Sequence, residues 1–242
     1  MSTTLEHAVS AMSASMARMD SISRNIANAQ TPSYKRQIAV TIPFDRLVQE
    51  ALTTTQGGLQ PGAPVIYSTD YRTGSLRNTG QALDIALTPD HYLQVRVGNQ
   101  FAFVRGGSLR LDEQGRLVTP AGDRVQGSSG DVALSTAQVR IDTDGRIYER
   151  GREVAQLRVV RIDNPRSLHT QGDLLVQMSS QTLEQPASGD AVRQGFLENA
   201  NVSVMTEVVR ILETVRHVES MQKVVQGYEQ MMQTAVRGLG GL

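Results

Sequence analysis

Apolar residues recur at alternating spacings of four and three at both ends of this chain, and that doubled pattern limits the folds open to it. Near the N-terminus Leu5, Val9, Met12, Met16 and Met19 keep the alternation, and Ile22 and Ile26 continue the face. Near the C-terminus Val204, Val208, Ile211, Val215 and Val218 keep it. After one three-residue step, Met221, Val225, Tyr228, Met232 and Ala235 resume it. Glu207, Arg210, Glu213, Arg216, Glu219 and Lys223 supply a charged flank. The spacing predicts a long helix at each end. Further apolar positions on the second helix, Met205, Val209, Leu212, Val224 and Met231, lie off the seam and call for additional partners.

Between the ends the period shortens. Short β-like runs such as "YLQVRV", "FAFVR", "RIYER" and "AQLRVVRID" follow, and turn residues separate them. Leu111-Asp-Glu-Gln-Gly-Arg-Leu117 and Ile141-Asp-Thr-Asp-Gly-Arg-Ile147 echo one another, each reading as strand, turn with a left-handed glycine, and strand. The expected fold is α+β: N- and C-terminal helices forming a coiled-coil layer, with an inserted, mostly antiparallel β domain. Its segments are 1–36 for the first coiled-coil helix and a joint, and 37–82 for a linker with a short helix and extended stretches. The β domain follows at 83–180, a return linker at 181–200 and the second coiled-coil helix at 201–242.

Composition narrows the function. Aromatic residues make up only 4% of the chain and Trp is absent, so the core must be modest and mainly aliphatic. Twenty-four basic residues balance 24 acidic ones, which leaves no basic footprint for nucleic acid. With no cysteine there is no disulfide, thiolate metal site or cysteine nucleophile. The opening "MSTTLEHAVSAMSASMARMD" lacks the charged and apolar regions of a secretory signal, so any export is expected to need no cleaved signal peptide. No run approaches the roughly 18 apolar residues of a membrane span.

The chemical motifs are weak. His7, His91, His169 and His217 are scattered without an i, i+4 pair, and a structural role outweighs metal ligation. Asp142-x-Asp144-Gly145 resembles part of a calcium loop, but its glycine comes too early and no bidentate Glu follows. No Gly-x-Ser-x-Gly elbow is present, and "RGGS" at Arg105–Ser108 lacks the lysine and following helix of a phosphate loop. The sequence therefore reads as a non-enzyme, with no cofactor, metal or small-molecule substrate.

At "NIANAQTPSYKR" the first helix must stop, because Pro32 forbids easy continuation and biases Thr31 toward extended geometry. Asn25 and Asn28 can bond backbone groups freed there. These residues resemble the N-terminal signature of the bacterial flagellar rod and hook family, Asn-x-Ala-Asn-x-x-Thr-Pro-Gly-Tyr/Phe-Lys. Asn25, Ala27, Asn28, Thr31, Pro32, Tyr34 and Lys35 match, while Ser33 stands where the family has Gly. "GSLRNTGQALDIAL" resembles the central segment of the family, and "LDEQGRLVTPAGDRVQG" its next hairpin. "GFLENANVSVMTEVVRILETVRHVESMQKVV" resembles its C-terminal segment, with Ala200 replacing a Ser.

The resemblance implies a structural subunit of the basal-body rod, self-assembling through its terminal helices into the axial tube that transmits motor torque in the periplasm. Implied partners are copies of itself, other rod subunits and the flagellar type III export apparatus. Phe44 and Val48 fit a short aromatic-to-apolar export pattern, and helix packing explains them equally well. The short middle favours the proximal-rod type; the alternatives are a distal-rod or short hook-like subunit and, more remotely, a coiled-coil adaptor. Tyr34, Lys35 and Arg36 are expected to be available to neighbouring subunits.

Overall fold

Two long helices and a set of short antiparallel strands make up the computed structural model, which describes residues 2–41, 65–162, 165, 169–171, 174–176, 184–186 and 189–239. Helix α1 spans Ser2–Ala27 and helix α2 spans Val204–Leu239. The chain divides into two compact units. One comprises Met1–Ala27, Gln37–Asp70 and Val202–Leu242; the other comprises Asn28–Arg36 and Tyr71–Asn201.

In the helical unit α1 and α2 touch one another, and a two-stranded ribbon, Gln37–Thr41 paired with Val65–Thr69, lies against α1. Ser203 starts α2: its carbonyl accepts from the Glu207 N–H at 3.0 Å, and its Oγ accepts from the Thr206 hydroxyl at 3.1 Å. Glu207 also places a negative charge in the first turn, where the helix dipole favours it. The less exposed face of α2 runs through Glu207, Ile211, Thr214, Val218, Met221, Val225, Tyr228 and Met232, an unbroken four-three alternation. On α1 the corresponding face runs through Met12, Ser15, Met19, Ile22 and Ile26. Thr214 and Ser15 satisfy their buried hydroxyls by donating back to Arg210 O at 2.8 Å and Ala11 O at 2.9 Å.

The β body is antiparallel throughout its described pairings. Its largest sheet sets His91–Val97 at the centre, flanked by Gln100–Val104, Arg124–Gly127 and Val159–Ile162. A three-stranded sheet joins Arg140–Ile141, Arg146–Glu149 and Arg152–Gln156, and another joins Val192–Gln194, Asp84–Leu87 and Gly106–Ser108. Phe196–Glu198 pairs with Leu76–Asn78. The main core is aliphatic, as the composition requires: Ile85, Leu93, Val95, Leu117, Val125 and Ile147 are fully buried. A smaller cluster gathers Tyr92, Phe103, Val160 and Ile162, with Tyr71 against it.

The two echoing turns are built alike. Asp112 N–H donates to Arg116 O at 2.9 Å, and Asp142 N–H donates to Arg146 O at 3.0 Å. In each, the Asp Oδ1 accepts from backbone N–H groups two and four residues on. Gly115 (φ 74°) and Gly145 (φ 81°) take the left-handed position. Asp142 is thus committed to its turn, which accounts for the calcium-like spacing.

Candidate functional site

The chain leaves α1 through residues 28–36, and the fold organises that stretch with groups from far along the sequence. Within the helical unit Asn25 is fully buried and mimics a strand partner: its Nδ2 donates to Gln37 O at 2.8 Å, and Gln37 N–H donates to its Oδ1 at 2.9 Å. Ser21 Oγ donates to the same carbonyl at 2.8 Å. The first Asn of the signature is therefore a clamp between a helix and the ribbon that follows the turn.

Within the β body, Thr31 N–H donates to Asn28 O at 3.0 Å and the Thr31 hydroxyl donates to Asn28 Oδ1 at 3.2 Å, closing a turn before Pro32. Ser33 adopts φ 63°, so the left-handed turn survives without glycine. Its N–H donates to Glu198 O at 2.7 Å. Asn201 stitches outgoing and returning chain together. It accepts from Arg36 N–H at 2.7 Å and donates to Arg72 O at 2.9 Å.

Glu198 is the centre of this arrangement and is 0% exposed. Its Oε1 accepts from Lys35 Nζ at 2.5 Å and from Gly74 N–H at 2.9 Å. Its Oε2 accepts from Arg105 Nε at 3.2 Å and Nη2 at 3.0 Å. Arg105 spends its other donors on the carbonyls of Leu87, Thr88 and His91, and its guanidinium stacks over the Tyr92 ring at 5.3 Å. A carboxylate removed from water is tolerable only with such saturation by charge-assisted bonds. Gly74 belongs to the site for a steric reason as well, because a Cβ there would run into the Asn199 carbonyl. Burial pushes the Tyr92 phenol up to about 12, and Arg105 partly opposes the shift.

The signature residues thus fall on two jobs. Asn25 clamps the ribbon, while Asn28, Thr31, Pro32, Tyr34 and Lys35 form the stitched segment of the β body. Tyr34 is buried and Lys35 is held by Glu198, so neither is the free contact surface expected from the sequence. The physical reason is the buried negative charge, which draws the lysine inward. Glu198, Arg105 and Asn201 were missed in the sequence reading. The available signal was a charged residue ending an apolar run, "FAFVR" and "GFLE".

The expected seam residues divide by exposure. Met12, Met19, Ile26, Ile211, Val215, Val218, Val225, Tyr228 and Met232 are half-buried, whereas Val9, Met16, Val204 and Val208 are exposed. Leu5 lies in α1 with its side chain outside the described residues, and Phe44 and Val48 lie outside them altogether. Among the described residues no group of three acidic, His or Cys side chains is arranged to hold a metal, and no helix is long and apolar enough to cross a membrane.

Three family models match in chain order. Residues 5–35 match the flagella basal body rod protein model, residues 86–149 the flagellar hook protein FlgE/F/G D1 domain, and residues 193–237 the flagellar basal body rod FlgEFG protein C-terminal. The chain belongs to the flagellar basal-body rod family. This is a family of structural rod proteins. Lys35, Arg105 and Glu198, the buried ion cluster, come one from each matched segment. The flagellar basal-body rod protein FlgF of Caulobacter vibrioides is 26% identical, covering 92% of this chain and 91% of its own. The FlgF protein of Rhizobium meliloti is 26% identical over 100% and 99%. The flagellar basal-body rod protein FlgG of Buchnera aphidicola is 29% identical over 92% and 94%.

Proposed function

We propose that this rod subunit self-assembles through α1 and α2, which pair as a coiled-coil layer and stack with neighbouring copies and other rod subunits into a torque-transmitting axial tube. The observation that carries this reading is a second apolar face on each helix. Val9 and Met16 on α1, and Met205, Val209, Leu212, Val224 and Met231 on α2, remain in water while the first face is covered. Each such side chain contributes about 1.5–3 kcal/mol when buried, so stacking of copies supplies what a single chain lacks. Non-closing contacts of this kind generate filaments.

The route to the periplasm is the flagellar export apparatus. The small single β body favours the proximal-rod type, and the position of the labelled protein in isolated basal bodies tests that choice. Assembly itself is tested by Val208→Asp and Val215→Asp. Val215→Asp places a carboxylate on the half-buried side of α2, and Val208→Asp places one at an exposed position that stacking of copies would cover, each a cost of several kcal/mol once packed. The expected outcome is a folded β body that no longer enters rods, read by circular dichroism and electron microscopy; complete basal bodies in swimming mutant cells would overturn the reading.

A further inference from the structure

The β body carries a cleft of about 540 Å³ remote in sequence from the stitched segment, lined by Ala82, Gln138, Val139, Arg140, Tyr148 and Arg150. Its size falls in the range of small-ligand sites. The carboxylates around it are already committed. Asp142 Oδ1 accepts from Asp144 and Arg146 N–H groups and its Oδ2 from the Tyr148 hydroxyl at 3.3 Å. Glu153 faces Arg146 at 4.0 Å. Glu149 accepts from Ser135 N–H, the Ser135 hydroxyl and Thr136 N–H, and Arg150 is only the last of the groups that steady its charge. Among the described residues Arg140 and Arg150 therefore bring guanidinium groups to the cleft without a carboxylate at ion-pair distance. Arg140 stacks over the Tyr148 ring at 5.5 Å, which orients its fork.

Arg150 is held at a conformational cost. With Gly151 (φ 82°) it forms the two-residue loop between paired Glu149 and Arg152, and it takes φ 48° where Asn, Asp or Gly is the easy choice. A strained backbone position at a cleft rim points to use of the side chain it carries. The edge of the neighbouring strand is closed to an added peptide strand. Gln194 Oε1 accepts from Ile141 N–H at 3.0 Å, and its Nε2 donates to Val139 O at 2.7 Å. A ligand must therefore be read by side chains: two guanidinium forks for carboxylates, an amide, and an apolar wall for a ring.

We infer that this cleft binds an acidic glycan, a saccharide chain carrying carboxylates. The full chain titrated calorimetrically with an oligogalacturonate should show saturable binding that a neutral oligogalactoside of equal length lacks. Arg140→Gln should weaken it at least tenfold, and Arg110→Gln, outside the cleft, should leave it unchanged. Arg150→Gly separates charge from folding, because glycine suits the loop: the melting temperature should rise while affinity falls at least tenfold. Absence of binding, equal binding of the neutral oligomer, or full affinity in Arg140→Gln or Arg150→Gly would overturn the inference. A poly-glutamate peptide bound as tightly as the glycan would overturn the glycan assignment.

Discussion

The β body and the helical unit handle the same problem in opposite ways. The β body buries most of its large apolar side chains among themselves and saturates the charges it removes from water; Ile85, Leu93 and Phe103 are sealed, and Glu198 has four donors. The helical unit covers one face of each helix with a seam that includes Ser15, Glu207 and Thr214, and leaves Met205 78% exposed. One region is finished as a monomer, and the other is shaped for company. Stability should follow that division. In a dilute monomer, amide hydrogen exchange should be orders of magnitude faster in α1 and α2 than in strands 91–97 and 100–104, because the helices open locally while the strands open only globally. Equal protection in both regions would break the comparison.

The next effect tests whether the ion cluster belongs to the finished region. Glu198→Ala leaves Lys35 and Arg105 buried beside one another without their carboxylate. Removing one partner from a buried pair costs about 3–5 kcal/mol. Urea denaturation should show that loss in the β-body transition, with Glu198→Gln recovering part of it through the Gly74 and Arg105 contacts. A loss below about 1 kcal/mol would mean that the cluster is solvated and weak.

The Tyr92 phenol adds a pH signature confined to the β body. Its proton is retained up to about 12 in the folded chain because burial penalises the phenolate, whereas the unfolded chain releases it near its ordinary value of about 10. A raised folded value means the stabilisation is fully present below the unfolded value and is lost as pH climbs toward the folded one. The slope in that window is about 1.4 kcal/mol per pH unit. Tyr92→Phe should flatten the decline above about pH 10 and change little at neutral pH, where the ring still lies under Arg105.

Sequence and structure meet most closely where local chemistry decides. The helices, the alternating strands and the paired Asp-x-x-Gly turns were legible because period and glycine placement are local properties. The seam register was harder. Large apolar residues surround α2 on two faces, so a search for them follows Val204 and Val208, while the covered face passes through Glu207 and Thr214. Small or polar residues can occupy a seam when their polar atoms bond back to their own helix, as Thr214 does. The ion cluster was least legible, since Glu198 lies 163 residues from Lys35 and 93 from Arg105. Nothing in the spacing of one segment announces a partner so distant.

The smallest predicted effect lies in the turn itself and has a positive sign. Ser33 occupies the left-handed region at φ 63°, and its hydroxyl is buried with no hydrogen-bond partner among the described residues. Left-handed geometry costs a non-glycine residue about 1–2 kcal/mol, and an unsatisfied buried hydroxyl adds about 1–3 kcal/mol. Glycine relieves both but gives back about 0.4–1 kcal/mol through a freer unfolded chain. The backbone bond from residue 33 to Glu198 O survives the change. Ser33→Gly should therefore raise the stability of the β body by at least about 1 kcal/mol, seen as a higher urea midpoint at unchanged slope. It should leave exchange in the helices untouched, because residue 33 is stitched wholly into the β body. A fall in the midpoint would show that the serine hydroxyl holds a contact worth more than the strain it imposes.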